Sequence, residues 1–351
     1  MPEKVRLESN SHKIKAAVVG LGIGEHHLRA LLACPQVEVL AVCELDRPRL
    51  EKCKAEFPLI QTFSTEFQQI LDIQELDLVV IATYDNYHCQ QVAAAIQAGK
   101  HVFVEKPICQ TLEEAKLLQT VLAKNPETKI CSNLILRRYP RVLKAREIIS
   151  AEQSRPFLLE GDYNYGRQEK LTQGWRGEIP FYSIMGGGGL HLIDAFQWLM
   201  QEEIEEVHCY GGKFGTQNSK FNYPDTMLMT GRFPSGALVK ILANFAAVYP
   251  HFHKISIYTA KQSIESIPGE MRLWSSSDPS QEFEIFDSES SGLQGKADKS
   301  EILLEFVDSL LTGKPSPVSK SEIFSAMAVC FSAEESYKTG KPITTSKFLA
   351  R

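Results

Sequence analysis

Two short stretches of this chain carry side chains whose types and spacing could move a proton. In residues 101–107, His-Val-Phe-Val-Glu-Lys-Pro, a β-branched and aromatic run bounded by Gly99 and Pro107 reads as a buried strand ending in a carboxylate and an ammonium. Ligands of open α/β sheets bind at such strand ends. Pro107 cannot donate to a ladder and restricts Lys106 to extended geometry, which aims the lysine away from the strand. Taken alone, the heptapeptide reads equally well as an ion pair beside a proline stop. The second stretch is 182–194, where Tyr182 precedes Gly186, Gly187, Gly188 and Gly189, followed by His191 and Asp194. Four glycines in a row cost backbone entropy and point to a backbone that passes close to something. His191 and Asp194 are three residues apart and share a helix face, with Trp198 one turn further on. A histidine at a helix start beside a crevice can act as acid or base near neutral pH. By itself it also reads as a core histidine bonded to Asp194.

The elements that must position these groups begin at residues 14–19, a strand followed at once by Gly20, Gly22 and Gly24 and then by a helix through His26, Leu28 and Leu31. Strand, glycine turn and helix is the order that lets a backbone approach a pyrophosphate and meet its charge with helix N-terminal amides. The third glycine arrives one residue early, since Glu25 stands where G-x-G-x-x-G would place it, so the turn is a tighter variant. A second strand, 37–42, runs toward Glu44 and Asp46. An acid about twenty residues beyond the glycine turn can accept from the adenosine ribose hydroxyls and repels a 2′-phosphate, which predicts NAD rather than NADP; Arg47 is the cation that could reverse this. Helical segments are predicted at 49–57 and 65–71, with a short strand at 61–63 between them. Residues 78–82 form the most hydrophobic strand, expected at the sheet centre, and lead into a polar loop, 83–88, placed where a nicotinamide ribose would lie. Helices are predicted at 89–98 and 111–124, and a closing strand at 129–132.

The bulk numbers fit two domains. At 351 residues the chain exceeds one ordinary core, and 43% hydrophobic with 23% charged residues is globular usage. A net charge of -5 without a dense lysine/arginine block argues against nucleic acid as a partner. Eight cysteines without a C-x-x-C pair suggest neither zinc nor disulfides, and no metal is expected. Residues 1–13 are polar and no stretch approaches a membrane span, so a soluble, cytoplasmic protein is expected. After residue 133 a linker enters a helix carrying Arg137, Arg138 and Arg141, which reads either as an anion grip or as a solvated face. Strands at 157–165, 206–211, 226–233, 237–245 and 254–259 without intervening helices predict an antiparallel sheet, with a hairpin turn at 233–237. A mobile Ser/Gly loop is expected between 287 and 300, and two terminal helices each stop at Thr-Gly-Lys-Pro. Too few helices remain to cover both faces of that sheet, so an exposed apolar face, and with it a homodimer or homotetramer, is expected.

Gly20-x-Gly22 with His27 in the helix, Ile81-Ala82-Thr83, and Ala98-Gly99-Lys100-His101-Val102 running into Glu105-Lys106-Pro107 resemble the glucose-fructose oxidoreductase and inositol dehydrogenase (Gfo/Idh/MocA) family over nearly the whole chain. The resemblance implies an α/β fold, with an N-terminal Rossmann dinucleotide-binding domain at 1–133. It adds a C-terminal α+β domain with a mostly antiparallel open sheet at 134–351, for substrate and oligomerisation. It implies an NAD(P)-dependent oxidoreductase acting on a secondary alcohol or ketone of a sugar, sugar nucleotide or cyclitol. Lys106 would lie beside nicotinamide and substrate, and His191 would transfer the proton. The cofactor set is then Gly20, Gly22, Ile23, Gly24, Glu44, Thr83, Tyr84, His88, Glu105, Lys106 and Asn133; the substrate set is Lys106, Tyr163, Arg176, His191 and Asp194. One departure stands out: inositol-dehydrogenase-like members place an aspartate four residues before the histidine, and here that residue is Gly187. The proton then falls to Lys106 and His191 with Tyr163, Tyr165 or Tyr182. Gly187 also motivates another class, a dinucleotide-binding regulator without catalysis; a reductase of a non-sugar acceptor such as a tetrapyrrole is the third.

Overall fold

The strands of the first half show little polar alternation, so both of their faces must be covered. In the computed structural model, which describes residues 13–152, 154–278, 280, 283–287 and 298–348, they form one parallel sheet. Its strands are β1 (Ile14–Val19), β2 (Val37–Cys43), β3 (Thr62–Ser64), β4 (Leu78–Ile81), β5 (His101–Val104) and β6 (Ile130–Ser132), in the order β3-β2-β1-β4-β5-β6. Helices α1 (Gly24–Ala33), α2 (Arg47–Glu56), α3 (Phe67–Leu71), α4 (Asp85–Gln97) and α5 (Leu112–Lys124) connect them. This is the doubly wound dinucleotide-binding arrangement, whose order reverses between β1 and β4, where ligands of such sheets bind. α5 starts with a capping box: Thr111 Oγ1 accepts from the Glu114 N–H, and the Glu114 carboxylate accepts from the Thr111 N–H, worth about 1 kcal/mol. α4 begins at Asp85 rather than Cys89. Tyr84 takes extended backbone at the cap, and Asp85 puts a carboxylate in the first turn, where the positive helix end favours it. Residues 85–88 are therefore helix, not loop.

A 3₁₀ turn (Ile135–Arg138) and α6 (Pro140–Glu152) lead to a second sheet. Its strands are β7 (Leu158–Asn164), β8 (Glu206–Gly212), β9 (Thr226–Arg232), β10 (Leu238–Asn244), β11 (Phe252–Tyr258), β12 (Ser263–Ile267), β13 (Glu270–Trp274), β14 (Glu284–Asp287) and β15 (Ile343–Thr344). They run in the order β14-β13-β12-β11-β7-β10-β9-β8-β15, antiparallel except that β7 lies parallel to β10. The sequence reading missed β12 to β14; β12 and β13 are joined by Pro268-Gly269, with Gly269 at φ 96° as such a tight turn requires. The hairpin at 233–237 is present, closed by the Phe233 N–H donating to Ala237. Short α7 (Glu169–Thr172) precedes α8 (Leu190–Met200), and α9 (Glu301–Thr312) and α10 (Lys320–Thr339) come last. Both Thr-Gly-Lys-Pro stops act as expected, with Gly313 at φ 74° and Gly340 at φ 65°.

α8 lies directly on β7: a Cβ at Gly161 would strike Leu192 and Phe196. Met227, Met229, Val239 and Ile241 complete that buried face, and fully burying a side chain such as Phe196 contributes roughly 2–3 kcal/mol. The opposite face is open, as expected, but it is not an apolar sheet. It mixes the Lys240–Asp162 (2.7 Å) and Lys254–Glu265 (3.2 Å) pairs with exposed Leu228, Leu238 and Tyr210. α9 returns to the first sheet, Phe306 packing on Phe103. All eight cysteines are free thiols, and burial pushes Cys43, Cys89 and Cys131 up to about 12, which makes them inert. Most of the Ser/Gly segment between 287 and 300 lies outside the described residues. Among those described, no helix is long and apolar enough to cross a membrane.

Candidate active site

Gly20 sits at φ 87°, and a Cβ there would overlap the Ala82 carbonyl, so only glycine lets the end of β1 pass against the end of β4. Gly24 packs α1 against Ala82 and Val18, whereas the position of a Gly22 Cβ is open space. Ile23 takes the N-cap of α1, leaving first-turn amides for an anion. Glu44 Oε2 accepts from the Leu21 N–H at 2.6 Å and Oε1 from the Asp46 N–H at 2.9 Å, which pins the carboxylate beside the glycine turn. Its cation is Arg49, at 3.5 Å, rather than Arg47. Thr83 Oγ1 donates to Gln91 Oε1 at 2.6 Å, and Tyr84 stacks on Trp175 with ring centroids 4.7 Å apart. His88, expected to touch the cofactor, is instead fully buried, its ring nitrogens facing the carbonyls of Pro107 (2.7 Å) and Thr83 (3.2 Å). It ties the start of α4 to the end of β5.

At the end of β5, Glu105 accepts from Asn133 Nδ2 at 2.7 Å and lies 3.0 Å from His27 Nε2. Burial pushes its carboxyl up, but the His27 and Asn133 contacts and the Lys106 charge outweigh this and hold it at about 2. Asn133 Oδ1 is buried with no partner, as is Asn86 Oδ1. These acceptors, the glycine cradle and the pinned Glu44 carboxylate fit a dinucleotide laid across the switch point. Lys106 Nζ donates to the Gly187 carbonyl at 2.9 Å. Burial lowers its pKa, opposed by Asp85 and Glu105.

The four glycines form a π-helical turn, Met185–Gly189, that runs straight into α8. What the backbone passes close to is protein. A Cβ at Gly188 would meet the rings of Tyr163 and Phe245, and one at Gly187 would overlap the Tyr182 hydroxyl. That hydroxyl accepts from Arg176 Nε at 3.0 Å, and Arg176 also lies over the Trp175 ring. Tyr182 therefore stands in the space a Gly187 side chain would take, while Tyr165 stacks on Phe245 and Tyr163 lies tilted against it. His191 is 9% exposed, with Nδ1 unpartnered. Burial, then the Lys106 charge, lowers its pKa to about 3, so the imidazole is neutral. Asp194 does not orient it: its carboxylate is 1% exposed and gripped by Arg137 Nε and Nη2 at 2.7 and 2.6 Å. This removes Asp194 from the substrate set, because helix facing brings it to Arg137 rather than to the crevice.

Two groups here escaped the sequence reading, and a third, Arg141, was named there only as one of three clustered arginines. Asp85 is buried and close enough to influence Lys106, Arg176 and Tyr182; an acid after a strand end was visible, though its burial was not. His253 on β11 packs 4.7 Å from Tyr163 and 5.6 Å from His191, centroid to centroid. Arg141 stays apart from the ion pairs of its neighbours. A small cleft opens behind Pro107, lined by Asp85, Tyr182, Ser183 and Glu334 among others. Among the described residues no cluster of three or more His, Cys, Asp or Glu could hold a metal.

Residues 14–132 match a family model described as an oxidoreductase family with an NAD-binding Rossmann fold, and residues 142–265 match the GFO/IDH/MocA C-terminal domain. The chain is 24% identical over 236 residues to an inositol 2-dehydrogenase of Salmonella paratyphi B, covering 66% of this chain and 68% of that one. It is 27% identical over 265 residues to the scyllo-inositol 2-dehydrogenase (NAD(+)) of Bacillus subtilis, covering 72% and 73%. The crystal structure of myo-inositol 2-dehydrogenase from Lactobacillus plantarum superposes with a TM-score of 0.81 over 95% of this chain and 99% of that one, at 19% identity.

Proposed function

Because this chain belongs to the Gfo/Idh/MocA family of NAD-dependent oxidoreductases, we propose that it transfers a hydride between nicotinamide and a secondary alcohol or ketone of a cyclitol or sugar. The relatives named for inositol dehydrogenation support that substrate class. The observation that carries the reading is Lys106 Nζ held on the Gly187 carbonyl beside a buried, neutral His191 with an unspent nitrogen. NAD supplies the hydride acceptor and the protein handles the proton. Residues 1–133 take the cofactor and 134–351 the substrate.

In alcohol oxidation, Lys106 is the base. Its lowered pKa lets it lose a proton nearer neutrality than the ordinary 10.5. In the reverse direction its ammonium donates to the carbonyl oxygen and offsets the charge that develops there. The neutral His191 donates a ring N–H to the reacting oxygen and orients it. Tyr182, kept protonated by burial and held by Arg176, supplies a proton-bearing group where related enzymes carry an aspartate. Gly187 thus no longer argues for a silent regulator.

The test is NADH formation by the full chain on myo-inositol, scyllo-inositol and a panel of aldoses. NAD is expected to outperform NADP by about tenfold or more in kcat/KM, since Glu44 faces a 2′-phosphate, and Glu44→Ala should narrow that gap. NADH binding without turnover anywhere on the panel would restore the regulator reading. We further propose a cytoplasmic homodimer or homotetramer joined through the open face of the second sheet. Light scattering at micromolar concentration should show more than a monomer, and a monomer alone would rule this out.

A further inference from the structure

Of the three arginines after the first sheet, two are spent. Arg137 grips Asp194 and reaches Glu322 at 2.7 Å, and Arg138 holds Glu305 through Nε at 2.6 Å. Arg141 differs. It is 3% exposed, its guanidinium carbon lies 4.7 Å from the ring centroids of both Tyr139 and Phe252, and among the described residues it pairs with no carboxylate. Its Nε is buried without a hydrogen-bond partner. Burial pulls its pKa down to about 10, with only the Tyr139 phenol opposing. A buried cation with no counter-charge is costly to keep, and such groups mark sites where a ligand supplies the charge.

Its position gives the ligand. The Tyr139 ring lies 6.0 Å from His253, which in turn lies 5.6 Å from His191. His253 is buried with Nε2 unpartnered; burial, then the neighbouring His191 and the Arg141 charge, hold it well below the usual histidine range and hence neutral. Unspent polar atoms therefore run from His191 through His253 toward Arg141.

We infer that Arg141, with His253 beside it, receives a carboxylate carried on the substrate, so that the substrate is a polyhydroxy acid rather than a neutral polyol. This rests on the reading above, in which Lys106 and His191 hold the reacting carbon. A planar guanidinium fork matches a carboxylate bidentately, and one cation balances one charge. A phosphate monoester would bring nearly two.

The experiment compares matched probes with NAD: D-glucuronate against D-glucose, D-galacturonate against D-galactose, and myo-inositol as a neutral cyclitol. Calorimetry measures binding of D-glucuronate and D-galacturonate to the enzyme–NADH complex. The acid of each pair should be favoured in kcat/KM, mainly through KM. Arg141→Met should raise KM for the acid by about 10- to 100-fold with kcat nearly unchanged, and leave the neutral partner unaffected. Arg141→Lys, which keeps the charge if methionine impairs folding, should retain part of the preference. Turnover of neutral probes with no preference for acids, or a preference that survives in Arg141→Met, overturns the inference and leaves the dehydrogenase reading standing. No turnover on any probe, with acid binding present in the wild type and lost in Arg141→Met, supports the anion subsite and removes the reading above. Absence of acid binding as well overturns both.

Discussion

Replacing Lys106 by methionine is expected to lower kcat by about two to four orders of magnitude while changing NAD affinity by less than about threefold. The side chain belongs to the reacting end: its Nζ bonds the Gly187 carbonyl, not the glycine turn or Glu44, which would meet the pyrophosphate and ribose. Methionine keeps most of the volume, so lost turnover reports lost proton handling and charge rather than collapse. The pH profile separates these roles from mere packing. In the wild type, kcat/KM for alcohol oxidation should rise with pH and level off below the ordinary lysine value of 10.5, because burial lowers the Lys106 pKa and the base must be deprotonated. That rising limb should vanish in Lys106→Met. Tyr182→Phe should cost about tenfold, since Lys106 remains and only the proton-bearing group beside Gly187 is lost. Near wild-type turnover in Lys106→Met on a true substrate would end the assignment.

What could be read from the chain alone follows the range of the interactions involved. The strand ending in Glu105-Lys106-Pro107, the glycine turn under α1 and the capping box of α5 are set by residues close in sequence, whose periodicity and side-chain chemistry are visible without a fold. Asp194 was misassigned because its partner, Arg137, belongs to a segment that reads as a linker, and a carboxylate three residues from a histidine looks local when it is not. Tyr182 could be named as a candidate but not chosen, since its claim depends on a π-turn that brings Gly187 against its hydroxyl. His253 carried no sequence signal: its strand alternates like any other, and only the pairing of β11 with β7 sets it beside Tyr163. The parallel pairing of β7 with β10 was equally invisible, because strand direction follows from chain path rather than from composition.

The Arg137–Asp194 pair should dominate stability as Lys106 dominates turnover. Both groups are buried, and two hydrogen bonds join them in a fork, so Arg137→Met leaves an uncompensated carboxylate inside the protein. The expected loss is about 3–5 kcal/mol, a large share of a typical 5–15 kcal/mol total, whereas cutting the exposed, solvent-screened Arg29–Glu25 pair should cost far less. The sign of the pH dependence follows from Asp194. Burial already raises its pKa against the pull of Arg137, so without the arginine the folded value climbs further above the unfolded one. A folded state that binds more protons than the unfolded state loses stability as pH rises through that interval. The deficit of Arg137→Met relative to wild type should therefore be smaller in mild acid than at neutral pH, as urea titrations at two pH values would show. Arg137→Met/Asp194→Leu should recover much of the loss, since a buried pair replaced by apolar groups of similar volume is often near neutral, although Glu322 also loses a partner. If the double variant is as unstable as Arg137→Met alone, the cost lies in packing around the guanidinium and not in the orphaned charge.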